Sequence, residues 1–114
     1  MVVNATPGSV SLDLLTGLAP QLTGKVLIDA ADVDAAGLAS VPRYPGSSLA
    51  EEIQRALPDV RVVETLSTMH ASLMADPATA RSAFVSGNDA GAKTIVSGLV
   101  RALGPAPFGV AVAR

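Results

Sequence analysis

The amino-acid sequence predicts an α/β fold built on a mainly parallel sheet with helices on both faces. Short, largely apolar runs at Val2–Ala5, Lys25–Asp29, Val60–Thr65 and Ser82–Ser86 alternate with stretches of helical periodicity. One of these runs, Lys25–Asp29, holds the unbroken apolar stretch Val26–Ile28 before its closing carboxylate, as expected of a strand covered by helices on both sides. Hydrophobic residues make up 49% of the chain and aromatic residues only 3%, so the core must be assembled from Ala, Val, Leu and Ile. Those side chains suit a parallel sheet between helical layers.

Each element has a local reason. Val2 to Ala5 stops abruptly at Pro7 and Gly8, as the end of a buried strand does. In the helix that follows, either Ser9 or Ser11 caps the free backbone N–H groups and Asp13 suits the positive end of the dipole. Leu12, Leu15, Leu18 and Leu22 share one broad face of it, and Gly24 ends it. The second strand, Lys25–Asp29, leaves Asp29 at a carboxyl end. From Ala30 to Gly46 no period is sustained and Gly37, Pro42, Pro45 and Gly46 recur, which marks a candidate functional loop.

Ser48-Leu49-Ala50-Glu51 is a capping box, Leu49, Ile53 and Leu57 form the inward stripe of the second helix, and Pro58 prevents its continuation. The third strand, Val60–Thr65, is more polar than the second and is expected near an exposed face or an edge. Leu66 to Ala75 reads as a loop with a short helix. The fourth strand, Ser82–Ser86, halts at Gly87, and Asn88 or Asp89 caps the last helix. That helix carries one apolar stripe of Ala92, Ile95, Val96, Leu99, Val100 and Leu103 and ends at Gly104-Pro105. The tail from Pro105 to Arg114 has room for one short edge strand.

The 114 residues fit one domain, large enough to bury about two thirds of its unfolded surface. A net charge of −2 leaves no basic stripe, and there is no Trp to stack on bases, so nucleic acid is not an expected partner. No apolar run approaches the roughly 20 residues that span a bilayer, and no basic-then-apolar leader opens the chain. With no Cys there is neither a disulfide framework nor a thiolate metal site. A cytoplasmic protein without a resident metal is expected.

Right-handed crossovers bring the loops after successive parallel strands to one edge of a sheet, where ligands of such folds bind. That set comprises Thr6-Pro7-Gly8-Ser9, Ala30-Ala31-Asp32, Leu66-Ser67-Thr68-Met69-His70 and Gly87-Asn88-Asp89. It offers hydroxyls, backbone amides and one imidazole, but no base paired with a nucleophile and no carboxylate pair at obvious spacing, so no catalytic residue is assigned. A site poor in titratable groups suits hydride transfer, in which the cofactor carries the chemistry and the protein holds two rings face to face.

Five segments resemble, in order, the NADPH-dependent reductases of the deazaflavin coenzyme F-420. They are Val3-Asn4-Ala5-Thr6-Pro7-Gly8, Gly24-Lys25-Val26-Leu27-Ile28-Asp29, Ser47-Ser48-Leu49-Ala50-Glu51-Glu52-Ile53-Gln54, Val62-Val63-Glu64-Thr65-Leu66-Ser67-Thr68-Met69 and Phe84-Val85-Ser86-Gly87-Asn88-Asp89-Ala90-Gly91-Ala92-Lys93. The resemblance implies a partial, Rossmann-like NAD(P)-binding domain over residues 1–104 followed by a divergent tail over 105–114. It also implies hydride exchange between NADP(H) and the deazaflavin. On this resemblance Thr6, Pro7, Gly8, Ala31 and Asp32 lie beside the nicotinamide cofactor, and Ser67, Thr68, Met69 and His70 lie on the substrate side.

The departures are as specific as the match. The family opens with a strand and a Gly-rich turn of the GxGxxG kind, and no such motif is present here. Asp32 and Val33 stand where the family tends to carry Asn-Pro, Ser67 stands for the Asn of Leu-Asn-Thr-Met, and the tail differs from the family's Asp-Leu-Gly strand. A truncated, frame-shifted or mis-started reading frame is the expectation these differences raise, together with weak or absent NADPH binding by the chain alone.

Plainer readings stand beside these. Thr6-Pro7-Gly8 either meets the cofactor or only turns a strand into a helix, and His70 either lines a pocket or is a solvated surface group. Asp29 and Asp32 are expected to order the long loop through backbone hydrogen bonds, and Met69 and Met74 to fill the core. Arg43 and Tyr44 either meet a flat anionic cofactor or lie on a surface loop, and Asp89 favours capping over phosphate binding. The rival to an oxidoreductase is a non-catalytic α/β module that docks through an open strand edge. Because no Lys or Pro guards Val2-Val3-Asn4-Ala5, a homo-oligomer or aggregation through that edge is expected.

Overall fold

The alternation of apolar runs and helical stretches becomes the element order β1 (Val2–Asn4), α1 (Gly8–Gly17), α2 (Ala19–Leu22), β2 (Val26–Asp29), α3 (Leu49–Ala56), β3 (Arg61–Thr65), β4 (Ser82–Ser86), α4 (Ala90–Leu103) and β5 (Ala106–Val110). This is a computed structural model, and it describes residues 1–31, 44–67, 75 and 82–104 and the backbone of 106–110. The strands form one sheet in the order β1-β2-β3-β4-β5. β1 runs parallel to β2 with Val3 beside Ile28, and β2 runs parallel to β3 with Ile28 beside Val63. The fold is α/β and mainly parallel, as the sequence predicts.

Two cores sandwich the sheet. On one face α1, α2 and α3 contribute Leu15, Leu22, Leu49 and Ile53, which close over Leu27 and Val62. On the other, Ala92, Val96 and Val100 of α4 close over Val26, Ile28, Val63, Ala83 and Val85. All four residues of β2 are buried because a helical layer covers each side, the physical reason for its unbroken apolar run. Fully buried Ile53 and Val96 each contribute about 1.5–3 kcal/mol of apolar burial.

The local stop and start signals hold where the chain is described. Glu51 N donates to the Ser48 side chain at 3.2 Å to open α3, and Ala92 N donates to Asp89 Oδ1 at 2.7 Å to open α4. Gly104 ends α4 with φ 117°, a backbone setting that a side chain disfavours.

Several expectations are corrected. The first helix is two: α1 ends at Gly17 and α2 begins at Ala19, because Pro20 lacks an N–H and its ring opposes a continuous helix. Leu18 lies at that break and is exposed, and α1 has no side-chain cap. β3 is the central strand rather than an edge, with Val62, Val63 and Thr65 buried. The stripe on α4 is narrower than its apolar residues suggest, since Ile95, Leu99 and Leu103 remain exposed. β4 runs antiparallel to β3, with Glu64 opposite Ser86, and β5 joins parallel to β4, so the tail does hold an edge strand. The inner part of the expected loop over 30–46 and the expected short helix before Ala75 lie largely outside the described residues.

Candidate functional site at the carboxyl edge of the sheet

β1, β2 and β3 end side by side at one edge, and registered residues of neighbouring strands share a face. Asn4 is registered with Asp29, and Asp29 with Glu64, which lays three polar side chains across the ends of the three strands. Asn4 and Asp29 are both buried, so each needs partners. Asn4 Nδ2 donates to Asp29 Oδ1 at 2.9 Å, and the backbone N–H of Ala31 donates to the same oxygen at 3.2 Å. Asn4 Oδ1 accepts from Thr6 N at 3.2 Å and from Thr6 Oγ1 at 2.7 Å.

The chain of bonds continues into α1. Thr6 Oγ1 lies 2.8 Å from Ser11 Oγ, whose single hydrogen serves either Thr6 Oγ1 or the carbonyl of Pro7 3.1 Å away. Ser11 is therefore a fully buried link within the turn rather than a helix cap. Ala30 N donates to the carbonyl of Asn4 at 3.0 Å, extending the parallel pairing one residue beyond the strands. Together these bonds hold the turn after β1 against the start of the loop after β2.

Burial raises the Asp29 carboxyl from 3.8 to about 6; the Ala31 N–H and the Asn4 amide lower it in part, and the neighbouring Glu64 charge raises it further. Beyond β3, Leu66 takes φ 64°, a setting uncommon for a bulky residue, and the chain turns sharply there. The turn carries Ser67 back so that its Oγ donates to Glu64 Oε1 at 3.0 Å. A shallow cleft beside it is lined by Glu64, Thr65, Leu66, Ser67, Phe84 and Ser86. Thr65 Oγ1 is buried with no hydrogen-bond partner among the described residues.

Of the residues expected at the site, Thr6, Gly8 and Ala31 come together here: Thr6 is half-buried and Gly8 and Ala31 are buried. Pro7 lies in the same turn with its carbonyl engaged and the residue exposed. Ser67 stands one strand further along. Asp32, Thr68, Met69 and His70, with Arg43 and Met74, lie outside the described residues. Tyr44 is half-buried and packs against the core beneath α1 and α3.

Gly87-Asn88-Asp89 does not join this edge. The antiparallel course of β4 carries it to the opposite end of the sheet, near Gln54 and Val62, where Asp89 caps α4. Sequence reasoning missed Asn4, Ser11, Glu64 and Thr65 as members of the site. A polar residue inside the apolar run of β1 and a carboxylate at the end of β3 were the available signals. Among the described residues no group of three His, Cys, Asp or Glu side chains is placed to hold a metal ion, and no helix is long and apolar enough to cross a membrane.

No family model and no curated protein matches the chain. Solved structures do. One, from Arthrobacter sp. FB24, is provisionally named an F420-dependent NADP reductase; it is 42% identical, with a TM-score of 0.86. A second, a hypothetical protein from Sinorhizobium meliloti, is 25% identical with a TM-score of 0.75. Each match covers 97% of this chain but only 54% and 56% of the respective partner, so the chain spans about half the length of these structures. The resemblance to F420-dependent NADP reductases is thereby borne out in sequence and in three dimensions over nearly the whole chain.

Proposed function

We propose that this chain, a structural relative of the F420-dependent NADP reductases, supplies the ring-side wall of a site at which NADP(H) and a deazaflavin exchange a hydride. The observation that carries this reading is the Asn4–Asp29 tie, which joins the turns after β1 and β2 at the edge where three parallel strands end. Ligands of open α/β sheets bind outside such strand ends. When bound, the nicotinamide and deazaflavin rings supply the redox chemistry.

The chain's own groups position and select. The turn Thr6-Pro7-Gly8 and the backbone at Ala31 form the floor against which a flat ring rests, held by the buried bonds through Asn4 and Ser11. Ser67, with Thr68, Met69 and His70, is assigned to the deazaflavin side on the family resemblance, and Asp32 to the nicotinamide side. Glu64 and Asp29 put carboxyl groups at this edge, and Thr6–Gly8, Ala30–Ala31 and Glu64–Ser67 contain no Lys or Arg. That charge pattern suits a nicotinamide ring, which is cationic when oxidised, and disfavours a pyrophosphate. The phosphates therefore require a grip that these turns do not provide.

The test fuses this chain to the portion of the Arthrobacter protein that it does not match and follows NADPH consumption with a deazaflavin acceptor. Turnover by the fusion and none by the bare chain is the expected result. A fusion that binds NADPH without reducing the deazaflavin would overturn the reading and favour a non-catalytic α/β module.

A further inference from the structure

We infer that Leu66 is a positioning residue for the deazaflavin side of the site, a role that rests on the function proposed above. Its left-handed backbone, locked by its side chain in the core beneath α4, holds Ser67 against Glu64. Among the described residues Leu66 is the one non-glycine residue with positive φ; the other positions of that kind are Gly24, Gly46 and Gly104. Glycine takes this setting at little cost, whereas a side chain crowds the following carbonyl oxygen and is disfavoured by a factor of about 5–30. A bulky residue stays there only when its surroundings hold it.

Those surroundings are visible on both faces of the sheet. Side chains alternate along an extended strand. On β3, Val62 packs in the core beneath α1 and α3 and Val63 in the core beneath α4, so Glu64 belongs to the first face and Thr65 to the second. Continued extension would put Leu66 on the face of Glu64 and Ser67 on the face of Thr65. Each is found on the other side. Leu66 packs against the core beneath α4, and Ser67 Oγ donates to Glu64 Oε1 at 3.0 Å. One backbone setting, φ 64° at Leu66, produces both exchanges.

Strain and burial are therefore coupled. Relaxing Leu66 to an extended backbone would withdraw its side chain from the core and part Ser67 from Glu64. The strand before it cannot absorb the change, because Glu64 and Thr65 are registered with Ser86 and Val85 of β4. Glu64, Leu66 and Ser67 line the cleft with Phe84 and Ser86, so the turn fixes one wall of it. A carboxylate tethered by a hydroxyl is a fixed acceptor, and the pyrimidinedione edge of a deazaflavin offers it a ring N–H. Fixing the acceptor beforehand lowers the cost of ordering it when the ring binds.

NMR on the chain as it stands reads the geometry. The short distance between amide and α hydrogens that marks a left-handed residue is expected at Leu66 and in Leu66→Met, which keeps an apolar anchor. Leu66→Gly can take either backbone setting but has no anchor, and should lose the proximity of Ser67 to Glu64. Equilibrium dialysis on the fusion to the unmatched portion of the Arthrobacter protein reads binding. There Leu66→Gly should raise the Kd for the deazaflavin by at least about 10-fold and leave that for NADPH within about twofold, while Leu66→Met matches the parent. Ser67→Ala, which leaves the backbone alone, should raise the deazaflavin Kd by about 3–10-fold. A Leu66→Gly fusion that holds the deazaflavin as the parent does would overturn the inference. So would equal losses for both ligands, the mark of a merely structural role, or an extended Leu66 in the parent. A parent fusion that binds NADPH and no deazaflavin is a separate result, seen without any variant: it fails the reading of the site, and the role of Leu66 falls with it.

Discussion

Asn4 donates through Nδ2 to Asp29 Oδ1 at 2.9 Å, joining two buried residues that stand 25 apart in the chain and side by side in the sheet. The bond leaves Asp29 a group in tension with its surroundings. Its partners favour the charged form, but burial and the charge of Glu64 outweigh them.

A pH dependence of stability follows. The Asp29 carboxyl lies near 6 in the folded chain against an ordinary 3.8, so the folded state binds its proton more tightly than the unfolded state does. Its stabilising contribution is complete below about pH 4 and is lost as pH rises through about 6. At pH 7 this amounts to up to about 3 kcal/mol. Asp29→Asn keeps an oxygen for Asn4 and Ala31 and removes the charge. Urea unfolding should show the variant gaining stability over the parent between pH 4.5 and 7.5; parallel curves for the two would refute the assignment.

Thr65 offers a test that separates structure from ligand binding. Its buried hydroxyl has no partner among the described residues, which costs about 1–3 kcal/mol of unrecovered hydration. Thr65→Val, of nearly the same shape, should stabilise the chain by about 1 kcal/mol. Thermal unfolding reads this directly, and a destabilised variant would mean that the hydroxyl has a partner in solution.

Gly87 marks a close approach of two strands. A Cβ built there lies 2.8 Å from the carbonyl oxygen of Val62, and backbone cannot yield as a side-chain tip does. Gly87→Ala should therefore cost about 1–3 kcal/mol, although Ala is otherwise well tolerated. Equal urea midpoints for variant and parent would show that β4 can shift away from β3.

NADPH should bind the bare chain only weakly. Phosphates of dinucleotides are held in such folds chiefly by a Gly-rich turn at a helix N-terminus, and the described carboxyl edge has the half-buried Glu64 side chain and no Lys or Arg in the turns after β1, β2 and β3. Calorimetric titration should give no affinity tighter than about 100 μM. A micromolar value would reveal a phosphate site elsewhere in the molecule.

The amino-acid sequence by itself determined the elements that depend on local chemistry. Ser48 and Asp89 start helices because their side chains accept the free N–H groups of a first turn, and Gly104 stops one because it tolerates positive φ. The apolar run before Asp29 predicts a strand buried on both faces, and the spacing of runs and helices brings the ends of β1, β2 and β3 to one edge. Thr6, Gly8, Ala31 and Ser67 were legible as members of that edge for the same reason.

Tertiary structure alone decided the rest. The direction of β4 depends on which backbone groups it pairs with, and local periodicity is the same for a strand run either way; its reversal moved Gly87-Asn88-Asp89 off the site. Burial on α4 was decided by where the sheet lies, so Val96 is enclosed while Ile95, its equally apolar neighbour, is not. Asn4 had no meaning in its own segment except as a polar interruption. It became the centre of the site only because the register of β1 on β2 set it opposite Asp29, a relationship made by hydrogen bonds between strands rather than by anything in either strand alone.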